Sequence, residues 1–106
     1  MLSEAIIQAI ADADEASVSA ATPWELDLEQ ATGKLRLPHS IWDRLEEDGF
    51  SLLLIELPDT LAAARLPMHH RDPFDRMIIA QALARGLTIV TRDHAFASYG
   101  VPILRA

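Results

Sequence analysis

Cysteine is absent from the 106-residue chain, which excludes a disulfide framework, a thiolate metal site and a thiol nucleophile. Positive charge is scarce: 9 Lys and Arg stand against 16 Asp and Glu, a formal net charge of −7. That is the wrong sign for a protein that grips nucleic acid through clustered basic residues. It leaves room for a nuclease whose acidic cleft is neutralised by divalent cations, or for a cleft that attracts a basic protein segment. Long apolar runs are missing too; Leu52 to Ile55 falls far short of the roughly 20 residues of a membrane span. Met1-Leu2-Ser3-Glu4 has no basic region ahead of an apolar core, so no signal peptide is expected and a cytoplasmic protein is the default.

What is present is ordinary globular composition, 50% hydrophobic and 24% charged, in a length that supports one hydrophobic core. A single domain over residues 1–106 is expected. Leu2, Ile6, Ile7 and Ile10 recur at helical spacing behind Ser3, predicting an amphipathic helix over residues 3–11. Residues 16–21 read as a short strand of small residues. Thr22-Pro23-Trp24-Glu25 has the residue types of a capping box with proline at the first helical position, predicting a helix to about Ala31 with Gly33 as its stop. A second helix is expected from Ser40, with Ile41, Trp42 and Leu45 as its buried stripe and Gly49 as its end. Residues 50–57 form the clearest strand, apolar enough for burial on both faces. Pro58-Asp59-Thr60 opens a short helix that ends before Pro67.

The most informative stretch runs from His69 to Asp93. Asp72-Pro73 reads as cap and first helical residue, Gly86 as a stop after Arg85, and residues 87–91 as a β-branched strand. One helical turn over residues 94–98 and a last edge strand at residues 101–104 complete the chain. Strands alternating with helices, without a tight hairpin signal, predict an α/β fold with a parallel sheet.

Acids stand at the helix starts and strand ends of this scheme. Glu25, Asp72 and Asp75 open helices, where a carboxylate caps free N–H groups or complements the positive helix end. Asp93 follows a strand and equally suits a cap. In an open parallel sheet, however, ligands bind at the carboxyl ends of the strands. Glu25 and Asp93 both belong to that edge, whereas spacing alone does not bring Asp75 there.

Four strings carry a resemblance that geometry does not supply: residues 18–25, Gly33-Lys34-Leu35-Arg36-Leu37-Pro38, residues 69–82 and Leu87-Thr88-Ile89-Val90-Thr91-Arg92-Asp93. In order, and over nearly the whole chain, they resemble the PIN-domain ribonucleases, most closely the VapC-type toxins of bacterial toxin–antitoxin systems. The resemblance implies a PIN-like parallel sheet flanked by helices and an endoribonuclease that hydrolyses RNA phosphodiesters. It implies Mg²⁺ or Mn²⁺ held by carboxylates from separate elements, here Glu25, Asp75 and Asp93, and a cognate antitoxin whose basic segment enters the acidic cleft. Hard oxygen ligands suit such an ion, which polarises the scissile phosphate and activates a water.

Family chains begin with a short apolar strand, central in the sheet and ending in an aspartate ligand. No such strand precedes the helix expected at Ser3. The expected consequences are weaker metal binding, and a homo-oligomer or swapped arrangement that fills the slot between the strands near Val18 and Ile89. A non-catalytic remnant that docks an antitoxin or another partner is the alternative function. A phosphoryl-accepting signalling receiver is disfavoured, because no Lys–Thr–Asp arrangement of that type occurs in the right order.

Other residues keep two readings each. Thr91 is a hydrogen-bond donor near the ion or a plain strand residue. Arg71, Arg76 and Arg92 contact phosphates or pair with neighbouring carboxylates. Asp72 is expected as the N-cap, within reach of the site. His69 and His70, adjacent and therefore pointing different ways, are assigned structural or surface roles. Trp24 and Phe74 are expected to pack beneath their helix starts.

Overall fold

The structure, a computed structural model, describes residues 16–34, 36, 38, 42–45, 47, 49–91 and 94–105. The helix expected over residues 3–11, and Ser40, Ile41, Arg92 and Asp93, lie outside the described residues. The described residues divide into two compact units, one within residues 14–55 and the other within residues 56–106.

In the first unit, strand β1 (Ala16–Ser19) pairs in parallel with β2 (Phe50–Leu53), with Val18 opposite Leu52. Helix α1 (Ala21–Ala31) follows β1 after one residue. That junction is held twice: Ala20 N–H donates to the Leu53 carbonyl at 2.9 Å, and Ala21 N–H donates to Ser19 Oγ at 3.1 Å. The helix therefore starts one residue before the expected cap Thr22, and its N-cap is Ala20, without a side-chain cap. Pro23 falls on the third helical residue, where its missing N–H costs nothing because the first-turn donors have no intrahelical acceptors. At the other end Gly33, with φ 80°, follows Thr32, as expected of a stop.

The register of α1 decides its faces. Trp24, Asp27, Leu28 and Ala31, at helical spacing, form an exposed stripe, while Thr22, Glu25, Leu26, Glu29 and Gln30 are half-buried. Trp24 is thus not in a core but 59% exposed. Residues 42–45 form a turn rather than the expected helix. Strand β2 ends at Leu53, four residues short of expectation, and burial on both faces is not found: Leu52 and Leu54 are exposed.

In the second unit, helix α2 (Leu57–Arg65) packs against helix α3 (Pro73–Arg85). Strand β3 (Ile89–Thr91) pairs in parallel with β4 (Ile103–Arg105), separated by a 3-10 helix at His94–Tyr99. The described strands thus form two two-stranded parallel sheets, one in each unit. The core of the second unit is Ile79 and Ala82 of α3 with Ile89, Phe96 and Val101.

Helix α2 opens on a capping box made by acids: the Glu56 side chain accepts from the Asp59 backbone, and Glu56 N–H donates to Asp59 Oδ2 at 3.0 Å. Asp59 is buried, and Arg85 of α3 meets both of its oxygens, at 3.0 and 3.1 Å. These paired bonds, against the opposing pull of burial, hold the Asp59 carboxyl below its ordinary value, with further help from the Glu56 N–H and Gln81. Among the described residues, no helix is long and apolar enough to cross a membrane.

Candidate metal centre

The candidate site is built on the start of α3. Asp72, in extended backbone conformation, accepts through Oδ1 from Phe74 N–H at 2.8 Å and Asp75 N–H at 3.3 Å. Two of the first-turn donors are thereby satisfied, which is why the helix begins here. Pro73 occupies the first helical position, and Gly86 closes the helix in the left-handed region at φ 65°. Asp75 therefore sits in the first turn, its carboxylate half-buried and favoured by the positive end of the helix.

Asp72 and Asp75 bring carboxylate oxygens within 4.8 Å of each other. Oxygens bound to one Mg²⁺ at about 2.1 Å stand no more than about 4.2 Å apart, so the spacing at this helix start suits a hard divalent ion with only small side-chain movement. The donor chemistry, carboxylate and no thiolate, is also that of Mg²⁺ or Mn²⁺ rather than of a soft metal.

The sequence offers His70 no evident partner, and the structure supplies two. Its Nε2 stands 2.9 Å from Asp75 Oδ2, and its Nδ1 accepts the Asp72 N–H at 3.2 Å. His69, its neighbour, turns the other way and meets the Tyr99 ring edge-on at 5.1 Å. A histidine two residues before an Asp-Pro helix start, with an acid five residues on, was the available signal. It was weak because it depends on how the intervening loop folds.

Arg76 is buried, and its guanidinium donates to backbone carbonyls: Pro67 at 3.0 Å and His70 at 3.1 Å from Nη1, Ala63 and Leu66 at 2.8 Å each from Nη2, with Ala64 at 3.4 Å. The carbonyls of Ala63 and Ala64 belong to the last turn of α2, where no intrahelical donors remain. A cation there also complements the negative helix end. Arg76 thus caps α2 and pins the loop that carries His70 and Asp72.

The remaining candidates are placed within their own units. Glu25 lies in the second turn of α1, on its half-buried face, rather than at the third position after a cap. Thr91 is the last residue of β3, at the carboxyl end of the strand and half-buried. Asp93, two residues further on, and Arg92 lie outside the described residues. Arg71 is exposed, and Phe74 is half-buried rather than in the core.

The sequence model of one protein family, described as PIN domain, matches residues 2–102. No curated protein matches the chain.

Proposed function

Because this chain belongs to the PIN-domain family, whose members are generally nucleases, we propose that it is a Mg²⁺- or Mn²⁺-dependent endoribonuclease resembling the VapC-type toxins. In this reading Glu25, Asp75 and Asp93 hold the ion and RNA is the substrate. The family match carries the reading, and the carboxylate pair at the start of α3 is the feature of the fold that fits it.

The ion, when bound, supplies Lewis-acid polarisation of the phosphate and activation of a water. The chain's own residues have simpler tasks. Asp72 fixes the start of α3 and so fixes where Asp75 stands. Thr91 carries a hydroxyl at the strand end for a water or a phosphate oxygen, and Arg92 a charge for the RNA backbone. The Asp75 carboxylate supplies negative charge that, without a cation, repels a phosphate.

The reading brings three partners: the RNA, a basic segment of a cognate antitoxin, and further copies of the chain. The second reading is a non-catalytic module that binds a basic partner, which the net charge of −7 also suits. Cleavage of structured RNA separates the two. The enzyme reading predicts cleavage that needs Mg²⁺ or Mn²⁺, stops with a chelator, and falls at least about 100-fold in Asp75→Asn and in Asp93→Asn. Cleavage that survives both substitutions refutes the site. Absence of cleavage, with a basic peptide bound in a salt-sensitive way, selects the module.

A further inference from the structure

The loop before α3 holds His70 from every side. Its backbone N–H donates to the Tyr99 hydroxyl at 2.8 Å, and that hydroxyl donates to the Pro67 carbonyl at 2.7 Å. Its carbonyl accepts from Arg76 at 3.1 Å. Its ring stands edge-on to Phe96, with centroids 5.8 Å apart and an interplanar angle of 72°. The His70 and Asp75 side chains are 18% and 23% exposed, so water does not readily replace what they exchange.

The ring's tautomer follows from its partners. A backbone N–H only donates, so the Asp72 N–H directed at Nδ1 leaves that nitrogen as acceptor and the proton of the neutral ring on Nε2. Nε2–H then donates to Asp75 Oδ2 at 2.9 Å. The Asp75 backbone N–H in turn donates to Asp72 Oδ1 at 3.3 Å. Three residues within six positions thus form a closed ring of hydrogen bonds: Asp72 N–H to His70, His70 to Asp75, and Asp75 N–H back to Asp72.

We propose that His70 is the positioning residue for Asp75, its Nε2–H fixing the orientation in which that carboxylate meets a divalent cation; this rests on the reading of Asp75 as a metal ligand. An aspartate's terminal torsion is broad, and a carboxylate that must be ordered on binding holds its ion less well than one already held. A merely structural histidine, filling space between Phe96 and the loop, would not need its proton aimed at an acid. Nor is His70 itself a ligand: one ring nitrogen carries the proton and the other accepts the Asp72 N–H.

The test uses the full chain as wild type, His70→Leu, His70→Gln and Asp75→Asn, with Mn²⁺ binding followed by calorimetry and thermal unfolding recorded alongside. Leucine fills the space without a donor, whereas glutamine carries an amide donor at the reach of Nε2. The Mn²⁺ dissociation constant rises about tenfold or more in His70→Leu and stays within about threefold of wild type in His70→Gln. Both variants lose the acceptor for the Asp72 N–H and melt lower together, so recovery of binding without recovery of stability marks positioning. In the wild type, ¹⁵N spectra show His70 protonated at Nε2.

Mn²⁺ binding in His70→Leu equal to wild type, with loss in Asp75→Asn, overturns the role of His70 and leaves Asp75 a ligand. Equal losses in His70→Leu and His70→Gln, or protonation at Nδ1, also overturn it. A wild type that binds no Mn²⁺, indistinguishable from Asp75→Asn, instead sinks the reading of Asp75 and the proposal with it.

Discussion

Replacing Arg76 with alanine should be among the most damaging single changes in this chain, though no catalytic group is touched. The two terminal nitrogens carry four N–H groups, and four carbonyls stand 2.8–3.1 Å from them, on Ala63, Leu66, Pro67 and His70. A hydrogen bond to a charged group contributes about 1.5–3 kcal/mol net. After truncation, water reaches part of this loop, so about 1 kcal/mol per carbonyl is the fairer figure, or about 4 kcal/mol in all. Domains of this size are stable by roughly 5–15 kcal/mol, so the variant loses a quarter or more of that. Urea unfolding followed by circular dichroism measures the loss, and amide exchange should speed up first around residues 63–72. Arg76→Lys recovers less than half, because one ammonium cannot reproduce a planar fork reaching carbonyls on two sides. A cost below about 1 kcal/mol would refute this account. So would a lysine variant of full stability with weakened, less salt-sensitive RNA binding, which would return Arg76 to phosphate contact.

Three further outcomes follow from single contacts. Asp72→Ala removes the acceptor for two first-turn N–H groups and should cost about 1 kcal/mol in thermal unfolding, with Asn recovering most of it. Gly86→Ala places a side chain at φ 65° where its Cβ meets nothing within 4 Å, so the whole cost, about 1 kcal/mol, is backbone strain, read from the same melts. The Asp59 carboxyl titrates below its ordinary 3.8 because Arg85 holds it ionised. The stabilisation is therefore complete above about pH 3.8 and fades as pH falls through the lower folded-state value. The gap in melting temperature between wild type and Asp59→Asn should accordingly narrow on acidification from neutral pH toward about pH 2, and a constant gap would contradict it.

Helix α3 was legible in the sequence because every local signal agreed: an aspartate cap, proline at the first position, a continuous helix-forming run and a glycine in the left-handed region. The string at Thr22 looks the same and misleads. Ser19 and the end of β2 start α1 at Ala21, and proline at the third helical position still forfeits no intrahelical bond, so the motif does not fix the register. With the cap two residues earlier than expected, Trp24 lies on the outer face, with Leu28, and Glu25 on the half-buried one. The box at α2 was missed for a different reason. Its acids, Glu56 and Asp59, stand in the reverse order of size from the usual short cap and long partner. Parallel pairing was legible from the alternation of elements. The exposure of β2 was not, because an apolar run reports what a strand prefers and not what covers it.

That the acids at the start of α3 can be read either as helix caps or as chemical groups has a physical source. The bonds that begin the helix are members of the ring that orients Asp75: Asp72 Oδ1 accepts the Asp75 N–H, and the Asp72 N–H sets the tautomer of the histidine that holds the Asp75 carboxylate. Arg76, one residue beyond, holds the loop that carries this ring, because its carbonyl acceptors include His70 itself. Capping and positioning are therefore one structure at this helix start, and no residue pattern could have separated them. What does separate them is which atom each variant removes. Asp72→Asn keeps the cap, His70→Gln keeps the donor on Asp75, and Asp75→Asn keeps the helix while taking away the charge. Hydrogen-bonded members of one ring should also depart from additivity when changed together, which distant caps such as Gly86 and the Asp59–Arg85 pair should not.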